Sequence, residues 1–334
     1  MKPWMWIPAV AVLTCVAARG GAAPFRGRAE TMPLANWVLT RPDYRAQAPK
    51  SVAARGVNPC LTPEPGYGDY GAWRRSGLTY GQILIPKVLK LDPRGGFDVV
   101  FHFHGHEPAR KEWVQAHTGA VLVGIDLGNG SAAYQTKFSQ PEEFWNLLAE
   151  VEDLVAQRAG APLAAARHIG LSAWSAGYGA IASILSSARA QQRTDAVILL
   201  DGLHAEYEGD GLDAKSLAPF VQFARAAADG RKLMFVTHSS ITPPHYASTT
   251  ETAQYLIWMV GGRPAAPTAF SDPMGLERIS EFHKWNFHVL GFSGAEALDH
   301  CAQIGMLRGI ADQQLAPRWN PPTPNGADNL PAPD

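Results

Sequence analysis

Apolar residues along this chain fall into two patterns: short unbroken runs, and segments where they recur every three or four positions. Ala120–Ile125 (AVLVGI), Ala196–Leu200 (AVILL) and Lys232–Val236 (KLMFV) are unbroken runs, the signature of strands buried on both faces. His168–Ala173 and Phe287–Phe292 read as further strands. Pro141–Gln157 sets Phe144, Leu147, Leu148, Val151, Leu154 and Val155 on one helical face. Its opening proline and glutamates suit a helix start. Leu217–Ala228 and about Asp299 to Ala311 read as two more helices. Tyr80–Val88 and Asp98–His104 flank a turn cluster of Asp92, Pro93, Gly95 and Gly96, which predicts an antiparallel pair. Strands alternating with helices predict an α/β fold, a mostly parallel sheet with helices on both faces. Such sheets carry their sites at the carboxyl ends of the strands.

The ends of the chain lack this alternation. Residues 1–23 combine Lys2, an apolar run from Trp4 to Ala18 and small residues from Ala17 to Ala23, the layout of an export signal. The run falls short of the about 20 apolar residues of a membrane span; an uncleaved anchor is the alternative. Residues 24–78 are rich in Pro, Gly and Arg without sustained periodicity and read as an irregular N-terminal segment. Residues 79–316 hold the α/β pattern, and 317–334 read as a Pro-rich flexible tail. A secreted or periplasmic protein is expected.

Charge narrows the function classes. Lys plus Arg number 29 against 30 Asp plus Glu, a net charge of −1. That balance excludes a nucleic-acid binder and a polybasic membrane-surface protein. Removal of the signal takes Cys15 with it and leaves Cys60 and Cys301. Two cysteines in an exported chain suit one disulfide, with two unpaired thiols as the alternative.

Four places carry candidate chemistry. In Ala173-Trp174-Ser175-Ala176-Gly177-Tyr178-Gly179 a strand ends and a helix begins around a serine with small residues two before and two after it. That is what displaying a nucleophile on a sharp strand-to-helix turn requires. In His102-Phe103-His104-Gly105-His106 a strand ends on His-Gly. There Gly105 lets the chain aim the His106 amide, with Ala176 N–H, at a developing oxyanion. A metal cluster of the three histidines is the rival, and His102 reads as a core residue. His300 opens the last helix after the last strand, where a base for Ser175 must come from. Asp201 follows the AVILL strand, where the acid orienting that base is expected. Trp174 and Tyr178 beside the serine, and Asn129 after the AVLVGI strand, are candidates to line a substrate cleft.

The order Ser175…Asp201…His300, the Ala-Trp-Ser-Ala-Gly turn and the His-Gly strand end resemble the α/β-hydrolase superfamily, over about Leu78 to Pro317. The resemblance implies an eight-stranded, mainly parallel sheet, a Ser-His-Asp triad, and no metal or organic cofactor. Two features depart from the family pattern. Ala173 replaces the first glycine, and the acid follows the sixth strand instead of the seventh, where Thr237-His238-Ser239 stands. The expected protein is an exported serine hydrolase that cleaves a carboxylic ester of a small or polymeric substrate. An amidase or peptidase on the same triad, or an inactive secreted binding protein on this scaffold, are the alternatives.

Overall fold

The computed structural model describes residues 51–320, apart from 57, 62, 75–76 and 269–272. The expected export signal lies outside the described residues, as do the segment up to 50 and the tail from 321. The strands in chain order are Gln82–Leu84 (β1), Gly96–Phe103 (β2), Val121–Ile125 (β3), Ala165–Trp174 (β4) and Thr194–Leu200 (β5). Tyr207–Glu208 (β6), Gly211–Leu212 (β7), Leu233–His238 (β8), Arg278–Lys284 (β9) and Phe287–Phe292 (β10) follow. Eight of them form one sheet in the order β1-β3-β2-β4-β5-β8-β10-β9, and β6 and β7 make a separate small hairpin. The six strands from β3 to β10 run parallel, with one antiparallel strand at each edge.

The expected pairing of β1 with β2 is corrected here: β1 pairs antiparallel with β3. The turn does form, with Asp92 accepting the amides of Arg94 and Gly96. Every residue of β2 is buried, however, so it sits inside the sheet between β3 and β4 and leaves no edge for a hairpin partner. The edge strand β9 has no apolar run to mark it: its sequence RISEFHK is mostly polar, although Ser280, Glu281 and Phe282 are buried.

Alternate residues of each strand feed the two faces. Val99, Phe101 and Phe103 of β2 pack with Phe144, Leu147 and Val151 of the helix Pro141–Ala159. Val100 packs on the other face with Ala109 and Trp113 of the helix His106–Trp113 (α1). On that second face lie also Leu307, Ile310 and Trp319. Trp319 is buried and stacks on His168 at 5.5 Å. Residues 51–78, where described, form only short turns and single bridges. The buried Arg110 guanidinium of α1 donates to the Gly66 carbonyl at 2.8 Å, to Glu107 and to Glu64, and lies over the Tyr67 ring. Among the described residues, no helix is long and apolar enough to cross a membrane.

Glu112 of α1 is 7% exposed, and burial raises its carboxyl to about 7, the Arg308 charge opposing. The unfolded chain ionises this group near the ordinary glutamate value of 4.5. Folding is therefore penalised as pH rises from there through 7, by at most about 3 kcal/mol. Glu112→Gln is expected to raise Tm at pH 8 and to leave it unchanged at pH 4. An equal gain at both would count against a buried acid.

Candidate active site

Ser175 stands where β4 passes into a short turn, Ser175–Gly177, and then the helix Tyr178–Leu185. Its φ is +50°, the left-handed region that a serine rarely enters. Two close backbone approaches hold it there. A Cβ on Gly177 would fall 1.9 Å from the Phe103 carbonyl oxygen, and one on Gly202 would fall 2.6 Å from the Ser175 carbonyl oxygen. Only glycine admits these contacts, so the ends of β2, β4 and β5 meet around the serine. Backbone strain of this kind, over-determined by its surroundings, is characteristic of functional positions.

Asp201 closes β5, also at positive φ (+45°), and is 1% exposed. His300 lies in the helix Ala297–Ile304 (α8), after β10. The structure brings the two together: His300 Nδ1–H donates to Asp201 Oδ2 at 2.7 Å. Asp201 Oδ1 accepts the Ser239 amide at 2.8 Å and the Thr249 hydroxyl at 2.5 Å. Burial alone would push this carboxyl up. The His300 contact, with Thr249 and Ser239, outweighs it and brings the group down to about 2. A carboxylate on Nδ1 leaves the Nε2 lone pair of His300 outward, the tautomer a base requires. Among the described residues the Ser175 hydroxyl makes no hydrogen bond to this ring; in unliganded sites that bond is often long and tightens with substrate.

Ser239 and Thr249 had no mark in the sequence as site residues. Ser239 follows β8, and Thr249 opens the helix Thr249–Met259 (α7), whose capping box joins Ser248 and Glu251. That Ser-Thr-Thr-Glu start was legible, but only the fold aims its first hydroxyl at Asp201.

The oxyanion loop differs from expectation. His104 and Gly105 turn the chain at φ +69° and +71°. The amides of Gly105 and His106, expected to face a substrate oxyanion, are both directed at the Asp126 carboxylate, His106 N at 3.4 Å. His106 Nδ1–H donates to the same carboxylate, and its Nε2 accepts from the Gln82 amide at 2.8 Å. As they stand, these two amides serve Asp126, a residue the sequence did not single out. The expected Ala176 amide heads the turn after Ser175, where the preceding chain supplies no helical acceptor.

The three histidines of this strand end point to separate partners. His102, as expected, is a core residue. Its Nε2–H donates to the His104 carbonyl at 2.9 Å, and its Nδ1 accepts from the Ser172 hydroxyl at 3.0 Å. His104 Nδ1 accepts from the Tyr134 hydroxyl at 3.0 Å. The remaining cleft candidates are spread out. Tyr178 is half-buried, its hydroxyl 3.4 Å from Ser131 Oγ and its ring edge-on to His204. Asn129 is exposed in the loop after β3. Trp174 is stacked between His104 and His300, and its N–H is taken by the His300 carbonyl. Little more than an indole edge is left for a substrate. His283 and His288 pair across β9 and β10 at the opposite end of the sheet.

Cys60 and Cys301 form the expected disulfide, with Cα atoms 5.6 Å apart and a sequence separation of 241. It ties the turn Pro59–Leu61 to α8, next to His300. The chain-entropy model puts its contribution at no more than about 5 kcal/mol. Reduction is expected to lower Tm and to speed amide exchange in residues 297–304 while β4 stays protected. Unchanged exchange there would show that α8 is held without the bridge.

No protein-family model matches this sequence, and no curated protein does. Several solved structures overlap it in fold. An acylaminoacyl peptidase from Pyrococcus horikoshii is 13% identical, with a TM-score of 0.41, over 74% of this chain and 41% of its own. The feruloyl esterase module from Clostridium thermocellum, complexed with sinapinate, is 12% identical, with a TM-score of 0.41, over 80% and 94%. A prolyl endopeptidase is 11% identical, with a TM-score of 0.41, over 74% and 39%. The chain thus spans about two fifths of the length of the two peptidases. The strand order with its parallel centre, the strained turn at Ser175 between β4 and its helix, and the chain order Ser-Asp-His are those of the α/β-hydrolase fold.

Proposed function

We propose that the protein is a serine hydrolase of carboxylic esters, working in an oxidising compartment outside the cytoplasm. The contact between His300 Nδ1–H and the buried Asp201 carboxylate, beside the strained Ser175, carries this reading. Ser175 Oγ attacks the acyl carbon as His300 Nε2 takes its proton; the imidazolium then protonates the leaving alcohol. Water repeats the sequence to release the acid. Asp201 keeps the ring in its working tautomer. The Ala176 amide stabilises the tetrahedral oxyanion, and a second donor comes from the Gly105–His106 turn once Asp126 yields one of the amides it holds. Between Asp201 and the helix Ala214–Ala228 there is only the small hairpin of β6 and β7, so the mouth accepts soluble or polymeric esters. The disulfide supports the compartment, since such bridges persist where the medium is oxidising.

A fluorophosphonate probe and a series of p-nitrophenyl esters beside the matching anilides test this. Wild type is expected to label at Ser175 and to prefer the esters; Ser175→Ala is expected to lose both labelling and turnover with Tm nearly unchanged. Asp201→Asn should reduce kcat by about 10⁴-fold, because the imidazole takes the wrong tautomer. Turnover retained in Ser175→Ala would exclude the serine mechanism, and faster anilide cleavage would exclude the ester preference.

A further inference from the structure

Trp174 fills the space between two imidazoles. Its ring lies 5.2 Å from that of His104, with the planes 13° apart, and 4.7 Å from that of His300, with the planes 27° apart. Its Nε1–H donates to the backbone carbonyl of His300 at 3.0 Å. The chain makes room for it: a Cβ on Gly105 would come within 2.7 Å of the indole. The far imidazole is itself fixed through its bond to the Tyr134 hydroxyl.

We infer that Trp174 is a positioning residue that sets the distance and plane of the His300 ring relative to Ser175. The two side chains come from remote parts of the sequence, Ser175 from the turn after β4 and His300 from the first turn of α8. Trp174 is the last residue of β4, covalently joined to Ser175, and it grips His300 at both backbone and ring. Asp201 fixes the ring's tautomer and one end of it. A single bond at Nδ1 still lets the imidazole swing about that contact, and the indole face removes this freedom. The same face meets the ring as it gains positive charge in the transition state, an arrangement an aromatic face favours. A side chain of this kind acts on the rate and not on substrate affinity, because it touches the base.

This inference rests on the hydrolase reading, and the test separates the two. Trp174→Phe keeps a smaller ring and loses the N–H; Trp174→Leu loses both. Each variant is assayed for kcat and KM on a p-nitrophenyl ester, and for the rate and final extent of fluorophosphonate labelling. The expected result is a kcat about tenfold lower in Trp174→Phe and roughly 100-fold lower in Trp174→Leu, the scale of a misplaced catalytic group. KM should stay unchanged, labelling should slow in parallel, and it should still reach completion at Ser175. Wild-type kcat and labelling rate in both variants overturn the inference. So does a raised KM at unchanged kcat, which would make Trp174 a substrate contact. If Trp174→Leu does not fold, Trp174→Phe decides alone, wild-type kcat in it overturning the inference. A wild-type protein that neither labels nor turns over any ester overturns the hydrolase reading, and the positioning role with it.

Discussion

A carboxylate buried as deeply as Asp201 costs several kcal/mol unless its lone pairs are filled, and half of the sheet's carboxyl edge is organised around filling them. One oxygen takes the Ser239 amide from the loop after β8 and the hydroxyl of Thr249 from the start of α7. The other takes His300 from α8. Three connections that are distant in sequence therefore have to arrive at one point. The backbone there is held by an amide of Asp201 itself, which donates to the Thr237 carbonyl at 3.0 Å. Supporting contacts radiate outward. His238 Nδ1–H donates to the Thr250 hydroxyl at 2.9 Å, which in turn donates to the Ser239 carbonyl at 2.7 Å.

The other half of the edge is governed by sterics. The turn at Ser175 tolerates a left-handed serine because the backbones of β2 and β5 close on it through Gly177 and Gly202. The two halves meet at α8. Its first turn is fixed by reciprocal capping between Glu296 and Asp299. Asp299, fully buried, also accepts the Val52 amide at 2.8 Å. With the disulfide one residue beyond His300, the N-terminal segment becomes a brace for the helix that presents the base. An irregular stretch with little core of its own thus acquires a structural task close to the chemistry.

Asp126, partly exposed just past β3, adds a second charge constraint. Burial raises its carboxyl; the contacts from His106, together with the Gly105 amide, more than offset that and hold it ionised. A carboxylate so placed fixes the conformation of the turn that follows β2. The conformation of the His-Gly turn is thereby tied to a residue just past the neighbouring strand β3.

Much of this was legible in the sequence because it depends on short-range physics. Continuous apolar runs mark strands covered on both faces, and the helix at Pro141–Ala159 declares itself by a single apolar stripe. Small residues around Ser175 mark a turn that nothing larger can make, and three cysteines, one of them in the expected export signal, limit their own pairing. What tertiary structure alone decided is whatever depends on which strands lie side by side. The pairing of β1 with β3, the polar edge strand β9, and the Thr249 and Ser239 bonds to Asp201 leave no local trace. The same holds for the capture of the Gly105 and His106 amides by Asp126, and for the stacking of Trp174 against His300. Each joins groups separated by tens of residues or more, or settles between acceptors of equal local merit. A sequence states which donors and acceptors exist; their assignment is made by the crossover order of the sheet, which sets what each strand end faces.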